Sequence, residues 1–270
     1  MSVTRVGIAG CCGRMGRALV RLAHADPQLQ LTQAFCGPND QQAGRDVGSV
    51  AGIGDIGVTI TRCESPGCTD AACDVLVEFT NPASARGWAE WCRARKLPLV
   101  SGTTGLAESE QAAHRALSEV APVVWSPNMS VGVNLLLTLV EQASRVLGRD
   151  WDCEISEVHH RHKADAPSGT ARALLRSVCA GRGDDPAKVT VYGREGLGGG
   201  RQPGLIGVHA LRMGEVVGDH DVHFAGAAEV LTLSHRALSR DTFAAGALVA
   251  ARWVRGQRAG LYSMQDVLRA

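Results

Sequence analysis

Apolar positions in the first half of the chain repeat with two different periods. Val6-Gly7-Ile8-Ala9 is a short apolar run that stops at Gly10. Met15, Ala18, Leu19, Leu22 and Ala23 then fall at i, i+3, i+4, i+7 and i+8, the stripe of an amphipathic helix. Leu29 to Phe35 alternates as a strand does. Asp74 to Phe79, Leu97 to Ser101 and Pro122 to Trp125 read as further short strands, with helices over 83–95 and 107–119 between them. Strand and helix in alternation predict βαβ units and a parallel sheet. Helices on both faces make this a Rossmann-type, doubly wound domain.

The pattern changes near residue 130. Val131 to Leu147 reads as one long helix and Cys153 to His160 as a strand. Ala171, Leu174, Leu175, Val178 and Cys179 form a second helical stripe. Gly193 to Gly207 reads as a loop. Alternating segments follow at His209 to Met213, Glu215 to Phe224 and Glu229 to Ser234, and Thr242 to Arg255 is helical again. Clustered strands after helices predict an α+β second domain. The fold class is therefore α/β, with an N-terminal doubly wound parallel sheet and a second α+β domain.

Composition narrows the function classes. The 270 residues exceed one ordinary domain, and 45% hydrophobic with 20% charged content suits packed cores. A net charge of +1 gives no global field for nucleic acid or an anionic membrane, so neither is an expected partner. No secretory segment is visible at the start, and no apolar run has the length of a membrane span. The nine cysteines are an odd, scattered set without a CxxC pair, which points to reduced thiols in the cytoplasm and to no metal site.

Two segments carry chemistry. Gly10-Cys11-Cys12-Gly13-Arg14-Met15-Gly16 joins the first strand to the first helix, where a dinucleotide pyrophosphate docks on backbone N–H groups. The acidic residue that usually follows the second strand is missing, since that strand ends Phe35-Cys36-Gly37-Pro38-Asn39-Asp40. No Arg stands there for a 2′-phosphate either, so the choice between NADH and NADPH stays open. Cys11 and Cys12 lie at a helix start, which lowers a thiol's pKa and predicts reactive thiols protected by cofactor. The plainer reading makes them two small buried fillers.

The second segment is His159-His160-Arg161-His162-Lys163, followed by Ala164 to Thr170. Five consecutive basic or titratable residues form a local anion well. Ser168 is placed to cap the helix that starts at Ser168-Gly169-Thr170, whose N–H groups suit a carboxylate. Paired histidines bind zinc when they share a helix face, but Pro167 and the preceding strand argue against one continuous helix there.

These motifs resemble the 4-hydroxy-tetrahydrodipicolinate reductase family. The likeness runs through the glycine loop at 10–16, Phe79-Thr80, Gly102-Thr103-Thr104-Gly105, Ser126 to Asn134 and the run EVHHRHKADAPSGTA at 157–171. It continues through Tyr192 to Gly196, Pro203 to Gly207, Arg240 to Phe243 and Gly260-Leu261-Tyr262. The resemblance implies a dinucleotide-binding domain from 1–130 plus 240–270 and a substrate and tetramerisation domain from 131–239. It implies NADH or NADPH as cofactor, a small dicarboxylate substrate and a homotetramer. Gly10, Cys11, Cys12, Gly13, Arg14 and Met15 would cradle the pyrophosphate, with Cys36 and Gly37 at the adenosine. Gly102, Thr103, Thr104, Ser126, Pro127, Asn128 and Met129 would line the nicotinamide side.

His159 and Lys163 would be the acid–base pair, and His160, Ser168, Gly169 and Thr170 would hold the substrate carboxylates. Lys163 would supply a proton after hydride addition to the conjugated ring, made a readier donor by its His and Arg neighbours, while His159 polarises or shuttles. This chain departs from the family at Cys12, where relatives carry Gly or Ser. It departs again at Cys36-Gly37, where an acidic residue and Arg are common, and at Asn81. The rivals are a two-domain reductase for another imine or keto acid, and a catalytically silent NAD(P)-binding regulator.

Overall fold

In the computed structural model the described residues are 3–63 and 70–269; Met1, Ser2 and Cys68 lie outside them. In chain order the first elements are β1 (Thr4–Ala9), α1 (Arg14–Ala25), β2 (Leu29–Cys36), α2 (Val47–Ala51), β3 (Ile60–Arg62), β4 (Val75–Glu78), α3 (Pro82–Arg95), β5 (Leu99–Ser101), α4 (Glu108–Ser118) and β6 (Pro122–Trp125). Next come α5 (Val131–Leu147), β7 (Asp152–His159), α6 (Gly169–Arg182), α7 (Pro186–Val189), β8 (Thr190–Tyr192), β9 (Ile206–Arg212), β10 (Gly218–Ala225) and β11 (Val230–Ala237). The chain ends in α8 (Asp241–Val254), β12 (Gly260–Tyr262) and α9 (Met264–Leu268). It divides into one unit of Met1–Val131 with Asp241–Ala270, and a second of Gly132–Arg240.

The first unit holds a seven-stranded, all-parallel sheet in the order β12-β6-β5-β4-β1-β2-β3. Its strands are apolar on both faces because helices cover both. Val75 and Val77 of β4 join Val6, Ile8, α1 and the small residues of α8 in one core. Leu76 between them joins Leu99, Val123 and α3 in the other, where Phe35, Trp88 and Trp91 pack with ring centroids 4.9 to 6.0 Å apart. Each such buried aliphatic stabilises the fold by roughly 1.5–3 kcal/mol.

The strand order reverses between β1 and β4. β2 and β3 continue on one side of that seam, and β5, β6 and β12 on the other. Ligands of doubly wound sheets bind where the order reverses, outside the carboxyl ends of the strands. Gly10 after β1 and Phe79-Thr80 after β4 are the residues at that point.

The second unit holds a mixed five-stranded sheet, β11-β10-β7-β9-β8. β9 runs parallel to β7 and β8, while β10 is antiparallel to β7 and β11. One face is covered: Ile155, Val208, Val222 and Phe224 pack with Leu136 and Val140 of α5 and with Leu174 and Val178 of α6. On the same face β7 and β10 also carry two buried polar groups, Glu157 and His220.

Candidate active site

The turn from β1 to α1 is built for close backbone approach. Gly10 has φ of +81°, and a Cβ there would stand 2.4 Å from the Phe79 carbonyl oxygen. The N–H groups of Gly10 and Cys11 donate to Phe35 O at 2.9 and 3.1 Å, and that of Gly13 to Gly10 O at 3.1 Å. These bonds lash the turn to the end of β2. Among the described residues the N–H groups of Cys12, Arg14 and Met15 meet no acceptor, and Gly13 gives α1 no side-chain cap. A helix start that keeps its donors free is an anion site. A cavity of about 570 Å³ opens beside it, lined among others by Gly10, Gly13, Cys36, Thr80 and Trp88. Its size and place suit the adenosine and diphosphate half of a dinucleotide.

The Cys11 and Cys12 thiols are not the activated pair that a helix start predicts. Cys11 is fully buried among core residues, and burial with the neighbouring Cys12, Cys36 and Asp40 pushes it far up. Burial likewise pushes Cys12 up to about 12, a rise that the Cys11 hydrogen bond only partly offsets. Desolvation outweighs the helix dipole here, and the buried-filler reading holds for Cys11. Charged groups do stand near the end of β2. Asp40 lies four residues on, and Arg62 at the end of β3 donates to Asp40 O at 3.2 Å.

On the other side of the seam a buried carboxylate organises the loops expected beside the nicotinamide. Glu78 accepts from Thr80 N and Ser101 Oγ, each at 2.8 Å, and from the hydroxyls of Thr80 and Thr103. Gly102 is required because the Phe79 ring lies against it; an added Cβ would fall 2.2 Å from Cζ. Thr104 and Pro127 are exposed. Ser126 Oγ donates to Asn128 O at 2.8 Å, shaping that turn. Met129 is 2% exposed and packs in the core, so it is not open to a ligand.

In the second unit Glu157 is the hub. Its carboxylate is buried and accepts from Arg212 Nη1 at 2.9 Å, Arg212 Nη2 at 3.0 Å, Ser168 N at 3.0 Å and the His159 ring at Nδ1. Burial alone would raise its pKa, but the bonds from Arg212, His159 and Ser168 N–H win and hold it below the ordinary value. Strand period places Glu157 and His159 on one face, and register places His159 opposite Arg212 of β9 and Glu157 opposite His220 of β10. Arg212 also donates to the carbonyls of Lys163 and Asp165, at 3.3 and 2.6 Å, and so shapes the loop between β7 and α6.

His159 is largely buried, and burial holds its pKa below 6.5 despite the Glu157 carboxylate, with Lys163 and Arg212 adding to the depression. At pH 7 its ring is therefore neutral. Nδ1 carries the proton toward Glu157 and Nε2 keeps a lone pair. Lys163 is not surrounded by cations alone, as the sequence suggests: its Nζ donates to Asp165 Oδ1 at 2.7 Å. Ser168 caps α6, its Oγ accepting from Ala171 N at 3.1 Å, and lies 3.2 Å from His220 Nε2. Burial lowers His220 to about 4.

Glu157 and Arg212 thus bring His159, Lys163 and Ser168 into one cluster, with the exposed Gly169 and the half-buried Thr170 beginning the helix beside it. His160 stands apart from the Glu157 contacts, its ring 6.2 Å from that of His162. Sequence reasoning missed Glu157, Asp165, Arg212 and His220. The position of Glu157, two residues before His159 in a strand, was the available signal.

Family profiles match both parts of the chain: "Dihydrodipicolinate reductase, N-terminus" over residues 4–129 and "Dihydrodipicolinate reductase, C-terminus" over 132–268. The 4-hydroxy-tetrahydrodipicolinate reductase of Thiobacillus denitrificans is 48% identical over 268 residues, covering 99% of each chain. That of Alkalilimnicola ehrlichii is 46% identical over 265 residues, covering 98% of each. Among solved structures, a dipicolinate-bound dihydrodipicolinate reductase from Paenisporosarcina sp. TG-14 shares the fold with a TM-score of 0.77 at 23% identity, over 98% of this chain and 99% of that one.

Proposed function

The chain belongs to the dihydrodipicolinate reductase family, and on that premise we infer that it is an oxidoreductase acting as a 4-hydroxy-tetrahydrodipicolinate reductase in lysine biosynthesis. Its first unit is a dinucleotide-binding domain. NADH or NADPH fits the free N–H groups of Cys12, Arg14 and Met15 and the cavity running past Cys36. When bound, it supplies the hydride.

The observation that carries the assignment of roles is the Glu157 hub. A dicarboxylate substrate, like the dipicolinate bound in the solved relative, would meet the start of α6 at Gly169 and Thr170, which Ser168 holds in place through its own N–H bond to Glu157. His160 would add a donor from the same loop. Lys163, whose Nζ donates to Asp165, is the residue assigned to protonate the ring carbon next to the reduced position. His159 cannot donate from Nε2 while its proton faces Glu157, so it orients the substrate or accepts and relays a proton through that lone pair.

A homotetramer belongs to the same reading. The uncovered face of the five-stranded sheet carries Leu211 and Val230, 46% and 65% exposed, as apolar surface for a second copy. A cytoplasmic setting is supported by described cysteines that are all free thiols. No helix among the described residues is long and apolar enough to cross a membrane.

The test is loss of absorbance in the reduced-nicotinamide band when the substrate is generated in the cuvette. Lys163→Ala should lower turnover by at least ~10²-fold, the size of a general-acid contribution. Near-normal turnover would take Lys163 out of the chemistry. Oxidation with other imines only would overturn the substrate assignment.

A further inference from the structure

Two of the cysteines dispersed along the sequence, Cys12 and Cys36, come together beside the glycine loop. Cys12 Sγ, Cys36 Sγ and a carboxylate oxygen of Asp40 all lie within 4.8 Å of one another. Cys12 belongs to the β1–α1 turn, Cys36 ends β2, and Asp40 sits in the turn that follows. The bonds from Gly10 and Cys11 N–H to Phe35 O hold the first of these against the second. Gln42 N donates to Asp40 Oδ1 at 2.9 Å and fixes the third. The set is therefore held in place before any ligand arrives.

We propose that Cys12, Cys36 and Asp40 form a site for a thiophilic divalent cation such as Zn²⁺, and that its occupation excludes the dinucleotide. Two thiolates and one carboxylate are ligands that Zn²⁺ takes at about 2.3 and 2.0–2.2 Å, which the observed spacing allows with a small closure. Water fills the remaining position. On binding, two Sγ–H bonds break, two metal–sulfur bonds form and two protons leave to solvent, with no change of oxidation state. Burial favours the protonated thiols of the empty site, and the Arg62 charge near Cys36 works the other way, toward thiolate.

Cys36 lines the same cavity as Gly10 and Gly13, so an ion and its water would stand where the dinucleotide must pass. This exclusion rests on the dinucleotide-binding reading; the ion site itself does not.

The experiment titrates the reduced full-length chain, free of dinucleotide, with Cd²⁺. It follows the ultraviolet thiolate-to-cadmium band and the protons released. Expected are one Cd²⁺ per chain, about two protons per ion and displacement by Zn²⁺. Cys12→Ser with Cys36→Ser should abolish the band, and Asp40→Asn, which leaves both thiols in place, should weaken binding at least ~10-fold. Cys63→Ser, which removes a half-buried thiol lining the same cavity, should leave it intact. A band that survives the double variant, that Asp40→Asn does not weaken, or that Cys63→Ser removes would overturn the site. Whichever of NADH and NADPH binds should displace the ion. If a dinucleotide binds without displacing it, the exclusion is overturned; if neither binds at all, the functional reading fails while the cadmium band still decides the site.

Discussion

Glu157→Gln tests the hub most directly. It removes one buried charge and puts an amide N–H₂ where an oxygen now accepts, facing either Arg212 or His159. Arg212 has 19% side-chain exposure, so its cation is left largely unpaired. Breaking a buried pair destabilises by about 3–5 kcal/mol, and partial access to water favours the lower end. For a unit the size of Gly132–Arg240 about 3 kcal/mol lowers Tm by roughly 10 °C or more. The functional effect is separate. With an amide there, either tautomer of His159 can be met, so the Nδ1–H form is no longer enforced. In the serine-protease triad the comparable Asp→Asn change lowers kcat by about 10⁴. We expect a loss of at least ~10²-fold in kcat, with a smaller change in KM.

A merely structural residue would not move the pH profile, and this one should. Neutral His159 places the acidic limb of kcat/KM below 6.5. Glu157 is the group that raises the imidazole's pKa against burial, so its removal shifts that limb to still lower pH. Glu157→Asp keeps the charge and should restore part of both effects. Folded Glu157→Gln with kcat within about threefold of the parent and an unmoved acidic limb would refute the reasoning.

Two further predictions follow from the same cluster. His220 is neutral in the folded state down to about 4, against 6.5 unfolded, so between those values the unfolded chain binds the extra proton and stability is lost as pH falls. From pH 7.5 to 5 this amounts to about 2 kcal/mol, a decline that denaturant unfolding should show to be smaller in His220→Asn; equal pH dependence in both proteins would remove His220 as its source. Gly218 leaves room beside His159, since a Cβ there would stand 3.0 Å from Nε2. Gly218→Ala should therefore lower kcat several-fold by displacing the ring while Tm changes little, and unchanged kinetics would show that Nε2 is not used.

The fold was legible where a segment is both long enough and bounded. Pro122 to Trp125 and Val131 to Leu147 match their elements to the residue, because turn residues punctuate a continuous apolar run or a clear stripe. Ile60–Arg62 was invisible: three residues carry no period, and its strand exists only because β2 offers an edge to pair with. The site was legible to the extent that it is contiguous. The run from His159 to Thr170 declares itself, whereas Arg212 and His220 join it through register with β7, which local sequence does not encode. The Cys11 and Cys12 expectation failed for a related reason. A helix dipole can be read from local sequence, but desolvation depends on what the rest of the chain packs over the thiol.

The second unit places ionisable groups where a sheet usually places only apolar ones. Glu157 and His220 share the inward face of β7 and β10 with Ile155, Val222 and Phe224. A buried carboxylate there is tolerable because four donors converge on it, and those donors hold still the groups to which the proposed chemistry is assigned: the His159 ring, the start of α6 at Ser168, and, through Arg212, the Lys163 loop gripped by its carbonyls. An apolar residue at 157 would pack as well and spare the desolvation of a charge. It would also leave His159 without a fixed tautomer and the Lys163 loop without an anchor. The arrangement is therefore better explained by the geometry it imposes than by the stability it contributes.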